Sequence, residues 1–514
     1  MNLTVEFLNR DNTERTVWPW RKVSVVRYSK SAFGGPLKAV LRAYGNILDL
    51  WEFMEMLRCP VTITDQERAK AVWWGYINKV TINTNGEERS ASLDGMANNI
   101  AVGYTLSGFD GKTAYSANAA SVAEYGTKDL LLTIRDRTDT QAQVLRDTEL
   151  GRRKYPSISL PTYAFTRVDY AEIECLGWYE AFSWRYYSQD EGEQAYTDLD
   201  SWYGREIGED ERPQCAQEFI LTSTAGWTAD TIWLRITKRG SPTDNIVIRL
   251  KADNAGEPAA GDLATCTLAH TAVGNYMSWV ECTLSAPVAL STGTSYWISA
   301  EKSGAISTAN FYILDGNASR GANGDFMLNW DTGGWKDKTT MHMNYRVTGK
   351  TATTAQIGEI VTESGQFLVT SDIVDASGVN VPKFRDGDNT AMYEINELLN
   401  IGTTSNLRLL ARVLENRHLE VYEEPPQFEA DYSRDTNGII RDNLDVVVPN
   451  VDCPVGAWMK FESNIPSSVD TSKLINADYV FVEEAEYIAD GWQYRIIRTR
   501  DVDPLNDLFG VKDG

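Results

Sequence analysis

Period-two alternation runs through most of the chain. VTITD (61–65), AVWWGYINKVTINT (71–84) and YAEIECLGWYEAFSWRYYS (170–188) alternate apolar with polar residues or run through β-branched and aromatic ones, which predicts strands. Helical spacing is confined to a few places. Asn46 caps ILDLWEFMEML (47–57), whose apolar positions share one helical face. Thr138 with Gln141 forms a capping box ahead of AQVLRDTEL, and Asp388 opens a helix through TAMYEINELLN that Gly402 closes. Between 213 and 350 no helical run stands out. EFILTS, TIWLRIT, NIVIRLKA, WVECTLS, SYWISAE, NFYILD and MNYRVTG, with turn signals such as GSPTDN and ADNAGEP, predict a β-sandwich of the jelly-roll kind. The expected fold class is mainly β with some α+β.

A chain of 514 residues exceeds one hydrophobic core and calls for two to four domains. Charge divides it. Residues 213–350 hold 12 acidic and 11 basic side chains, a net of −1, so the other 376 residues carry −22 of the total −23. The expected partition is 1–212, an inserted sandwich at 213–350, then 351–424, and a last β-rich part at 425–514 after Pro425-Pro426. The acidic balance disfavours binding to nucleic-acid phosphate. No apolar run is long enough to span a bilayer as a helix. The first residues, MNLTVEFLNRDNTERTV, lack a basic stretch followed by an apolar one, so synthesis in a cytoplasm is the expectation. The six cysteines are scattered without a CxxC. Cys266 and Cys282 share a region and could pair, but buried free thiols are expected.

Catalytic patterns are missing: there is no HExxH, GxSxG, P-loop or GxGxxG. His270, His342 and His418 stand far apart, which disfavours histidine-based chemistry, and a non-enzyme is expected. With 72 carboxylates, an Asp/Glu pair of the glycosidase type stays open as an alternative.

With 213–350 set aside, the remaining chain resembles the hub proteins of phage tails, the N-terminal region of tail-tip proteins in long-tailed phages and gene-transfer particles. AFGGPLKAVLRAYGN leading to LRCPVTITD, then AVWWGYINKVTI, SLDGMANNIAVGYT, SVAEYGTKDLLL and AEIECLGWYEAFSWRYY carry the likeness before the insert. TTAQIGEIV, FRDGDNTAMYEINELLNIG and LEVYEEPP carry it after. Trp73, Trp74 and Tyr76 read as packing residues, and Gly75 as a point of close backbone approach. The resemblance implies tail-tube-like β-barrel domains in a homotrimer at the tail tip of a virion. Such a hub adapts the sixfold tail tube or distal tail protein above to a threefold fibre, spike or other tip protein below. DNA would pass through an acidic lumen without specific binding.

The insert, with RGSPTDNIVIRLKADNAGEPAAGDLATCTL, resembles carbohydrate-binding β-sandwiches, which implies contact with host surface polysaccharide. Sugars need flat aromatic faces and polar groups for their hydroxyls. Asp315, Asn317, Arg320 and Asp325 in one Gly-broken loop, Trp330, Asp331 and Trp335 in the next, and Trp227, Tyr276 and Trp279 at other strand ends are the candidates. Trp233 and Trp297, mid-strand, are expected in the core. Asp315, Asn317 and Asp325 offer oxygen ligands for Ca²⁺, but without EF-hand spacing. The alternatives are a distal tail protein with a sugar-binding insertion, and a free sugar-binding protein or glycosidase.

Overall fold

The computed structural model describes residues 3–499 apart from 16–21, 107–108, 164–167, 198–203, 210–212, 318–325, 330–333, 338–341, 368–370, 374–377, 406, 425–431, 436–438, 441–444, 450–454, 457, 463–478 and 491. The chain forms two compact units. One comprises Met1–Tyr187, Thr353–Val379 and Asp388–Gly514, the other Ser188–Ala352 and Asn380–Gly387. The protein is predominantly β, with few helices.

The first unit is organised on the long strand Lys70–Thr84. It pairs antiparallel with Pro60–Asp65 and Glu87–Ser92 along its length, and with Tyr170–Gly177. Tyr170–Gly177 also pairs with Phe33–Tyr44, beside which lies Lys22–Ser31. Lys22–Ser31 in turn receives Tyr479–Asp490, so chain from before and after the second unit shares one sheet. Ala171, Ile173 and Cys175 are fully buried, and the residues between them are only partly covered, as alternation requires. Gly75 lies opposite Gly177. A Cβ on Gly75 would come within 2.1 Å of the Leu176 carbonyl oxygen, and one on Gly177 within 1.7 Å of that of Pro36. This close approach is the role expected of Gly75. Trp73 and Tyr76 are fully buried, and Tyr76 meets Trp178 and Trp184 at ring separations of 5.2 and 5.6 Å.

A smaller sheet sets Asp129–Arg135 parallel to Asn99–Leu106. Helix Asp139–Arg153 carries the expected capping box of Thr138 and Gln141. Asn46 accepts the Asp49 amide at 3.1 Å and caps helix Ile47–Glu52, which continues as a 3₁₀ turn over Phe53–Met56. Two local expectations are corrected. The 170–188 run breaks after Gly177 into a 3₁₀ segment, Trp178–Trp184, because burying Trp178, Tyr179 and Phe182 together on one side needs helical rather than alternating spacing. The cap of helix Ala391–Ile401 is Thr390, not Asp388, because the extended strand Arg385–Thr390 runs through Asp388. Gly402, at φ +76°, closes that helix.

The second unit is a sandwich of two sheets. The first contains Glu193–Tyr196, Tyr345–Thr348, Thr228–Arg239, Phe311–Leu314 and Arg205–Ile207, with Ser278–Ala289 on the far side of Thr228–Arg239. The second runs Ala264–Leu268, Ile246–Ala252, Ser295–Lys302, Gln214–Ile220, Phe326–Asn329, Trp335–Asp337. The chain changes sheet at most connections, the wrapped path of a jelly roll. Ile232, Leu234 and Ile236 from one sheet and Ile246, Ile248 and Leu250 from the other share one core. Its boundaries differ from 213–350. Glu193–Tyr196 and Arg205–Ile207 already belong to its first sheet, and Asn380–Pro382 returns to pair with Lys350–Ala352. These segments read as hydrophilic joints because edge strands meet water and carry polar side chains.

Cys266 and Cys282 form a disulfide, which corrects the expectation of free thiols. They lie on strands of different sheets, 16 residues apart, so the fold brings together what spacing left open. Cys59, Cys175 and Cys215 are free and buried, and Cys453 lies outside the described residues.

Reducing the disulfide, or substituting Cys282→Ser, lowers the unfolding free energy of the sandwich by about 2–4 kcal/mol, read from denaturant midpoints with and without reductant. Glu174 lies between Lys38 at 2.5 Å and Lys79 at 3.5 Å. Burial pushes its carboxyl up, but the two ammonium groups outweigh that and hold it below the usual range. A depressed carboxylate stabilises the fold above its unfolded value and loses that contribution as pH falls through its folded value. The stability difference between wild type and Glu174→Gln therefore shrinks in urea titrations taken below about pH 4.5.

Candidate functional site

Strand Thr228–Arg239 supplies both the core and a candidate binding face. Ile232, Leu234 and Ile236 point inward and are fully buried, so Trp233, Arg235 and Thr237 project from the outer face of the first sheet, partly exposed. Glu281 and Arg346 flank Trp233 on the two neighbouring strands, and Trp279 flanks Arg235. Trp233 and Trp279 are thus diagonal neighbours, a relation that sets residues about 7–8 Å apart. The polar side chains around them are held by ion pairs. Arg346 grips Glu193 with two bonds of 2.8 and 3.1 Å, and Lys350 meets Glu281 at 3.4 Å.

At the end of this face, Arg235 reaches Asp315 at 2.6 Å, and the Asn344 side-chain amide donates to the same carboxylate oxygen at 2.8 Å. Loop residue Gly274 accepts from the Lys238 amide and the Thr237 hydroxyl. That loop carries Tyr276, which is 87% exposed, three residues before Trp279. The arrangement offers two indole surfaces and fixed donors and acceptors beside them, the inventory that stacks on a sugar ring and bonds its hydroxyls.

Only part of the expected site gathers here. Trp279 and Tyr276 belong to it. Asp315 and Asn317 are buried, 2% and 3% exposed, so neither is a loop-tip ligand. The Arg235 guanidinium and the Asn344 amide both engage one carboxylate oxygen of Asp315. Among the described residues no group of three or more His, Cys, Asp or Glu is assembled for a metal. Trp335, partly buried, packs against Trp297 and Ala216 on the outer face of the second sheet, away from Trp233 and Trp279. Trp297 is buried there, its indole N–H donating to Asp253 at 2.8 Å. Trp227 is 8% exposed and belongs to the sandwich core. It also walls a cleft of ≈ 410 Å³ with Glu191, Lys350, Asn380 and Lys383, where Lys383 pairs with Glu191 at 2.6 Å. Arg320, Asp325, Trp330 and Asp331 lie outside the described residues. Trp233, expected in the core, instead stands on the outer face. The signal was available, since the apolar residues on either side of it in TIWLRIT assign it to the opposite side of the strand.

No known protein family and no curated protein matches the chain. Among solved structures it is similar to the clostridial cysteine protease Cwp84 after propeptide cleavage, with a TM-score of 0.23 and 8% identity over 60% of this chain and 70% of that one. It is also similar to the mosquito-larvicidal Cry4Aa toxin from Bacillus thuringiensis, at a TM-score of 0.17 and 10% identity over 61% of this chain and 57% of the toxin. The tryptic core of Cry1Da from the same organism gives 0.17 and 6% over 57% and 50%. Likenesses this slight carry no argument about function.

Removing the carboxylate that Arg235 and Asn344 share leaves a cation and an amide without their partner. Asp315→Ala is expected to destabilise the sandwich by about 3 kcal/mol, the low end for breaking a buried ion pair, measured by chemical denaturation.

Proposed function

We propose that the chain is a non-catalytic structural protein of a phage tail tip, a hub whose sandwich binds host surface glycan. The observation that carries the binding role is the outer face of the first sheet, where Trp233 and Trp279 stand diagonally among ion-paired polar side chains. The hub role rests on the motifs flanking the sandwich and is supported by the single sheet that joins chain from both sides of it. In this reading three copies close a ring that adapts the tail tube or distal tail protein to tip components below. The acidic surplus of the flanking chain lines a lumen that repels passing DNA. The particle forms in the host cytoplasm and acts outside the cell. Weak binding at one sandwich is sufficient, because several copies engage a repeating polysaccharide together.

On a glycan array of host envelope polysaccharides the full chain binds at least one class. Trp279→Ala and Trp233→Ala each weaken that binding roughly tenfold, the loss of one stacking ring. Trp335→Ala leaves it unchanged. Failure of the intact chain to bind any host glycan removes the adhesion role. Quantitative mass spectrometry of tails gives three copies for a hub, whereas six would assign the distal tail protein instead.

A further inference from the structure

The first unit concentrates arginines in one place although the chain as a whole is strongly acidic. Arg10 donates to the Leu57 and Glu55 carbonyls at 2.8 and 2.6 Å and pairs with Glu124 at 2.7 Å. Arg58 donates one bond, to the Arg10 carbonyl at 3.0 Å, and its guanidinium lies 4.9 Å from the Phe367 ring centre. Arg417 bonds the Asn12 side chain and lies 4.8 Å from the Trp178 ring centre. Phe367 and Trp178 are themselves neighbours, at 5.8 Å, so both guanidinium groups rest on one aromatic cluster.

Three observations single this place out. Arg58 is only 9% exposed, yet its buried Nε has no hydrogen-bond partner. A buried donor left unmet is costly and calls for an acceptor. Among the described residues, one of these three guanidinium groups, Arg10, is ion-paired, to Glu124. Burial, then the charge of Arg10, push the Arg58 pKa down to about 10, with Arg417 adding to the effect. Finally, Arg58 and Arg417 both adopt φ +66°, a left-handed conformation in which Gly or Asn would be less strained.

We propose that Arg10, Arg58 and Arg417 form a binding site for an oxyanion, a phosphate or carboxylate group received by guanidinium donors. Planar forked donors match such groups in a way ammonium does not. The anion comes either from solution or from an acidic side chain of a second copy of this chain, whose surplus of carboxylates supplies many. This site is independent of the glycan-binding reading.

The test compares the thermal midpoint of the full chain in sodium phosphate and in sodium chloride at matched ionic strength, alongside its mass by light scattering. Wild type, Arg417→Gln and Arg417→Lys are used, with folding checked by circular dichroism. A free-ion site raises the wild-type midpoint in phosphate by roughly 2–4 °C, a gain lost in Arg417→Gln and only partly kept in Arg417→Lys. A site filled by a second copy shows no phosphate gain, but Arg417→Gln moves the assembled species toward monomer. Equal phosphate responses in wild type and Arg417→Gln, or no response together with unchanged mass, overturn the proposal. If Arg417→Gln does not fold, Arg417→Lys takes its place, and a phosphate gain and a mass both equal to those of wild type overturn the proposal.

Discussion

The crossing of Gly75 and Gly177 is the constraint on which the first unit depends. There Gly75 has no room for a Cβ against the Leu176 carbonyl of the neighbouring strand, and Gly177 has none against the Pro36 carbonyl of the strand on its other side. That approach fixes the register of Lys70–Thr84 against Tyr170–Gly177, and a slip of one residue would turn Trp73 and the buried row of Tyr170–Gly177 toward the wrong side. Phe33–Tyr44 lines up on the far edge of Tyr170–Gly177, and the strands from the carboxyl-terminal half attach beyond it. The aromatic cluster of Tyr76, Trp178, Trp184 and Phe367 forms beside this crossing, so the arginine cluster also depends on it.

In the sandwich, one strand serves two purposes through its pleat. Thr228–Arg239 sends its aliphatic residues into the core and its Trp and Arg outward, so the residues that stabilise the sandwich also aim the candidate face. The ion pairs around that face hold the polar groups in place. Over its observed bounds, Ser188–Ala352 with Asn380–Gly387, the sandwich holds 22 acidic and 15 basic side chains, a net of −7, because the segment ahead of residue 213 that joins its first sheet is itself acidic.

Local rules were legible in the sequence and long-range ones were not. Alternation located the strands of the sandwich, and hydrogen-bonding side chains located the caps at Asn46 and Thr138. Trp178–Trp184 misled because a dense aromatic run looks the same whether it continues a strand or coils to fill a core. The loop residues chosen as ligands were picked for chemistry alone. Asp315 proved to be claimed by Arg235, 80 residues earlier, and Trp335 by Trp297, partners that only the folded chain supplies. The same holds for Cys266 and Cys282 and for the short return of Asn380–Gly387, which carries no hydrophobic pattern to announce it.

That short return changes how the sandwich is fastened. Because the chain enters it twice, at Ser188 and again at Asn380, four peptide connections run between it and the rest of the molecule. A protease that nicks any single connector therefore leaves the sandwich covalently attached.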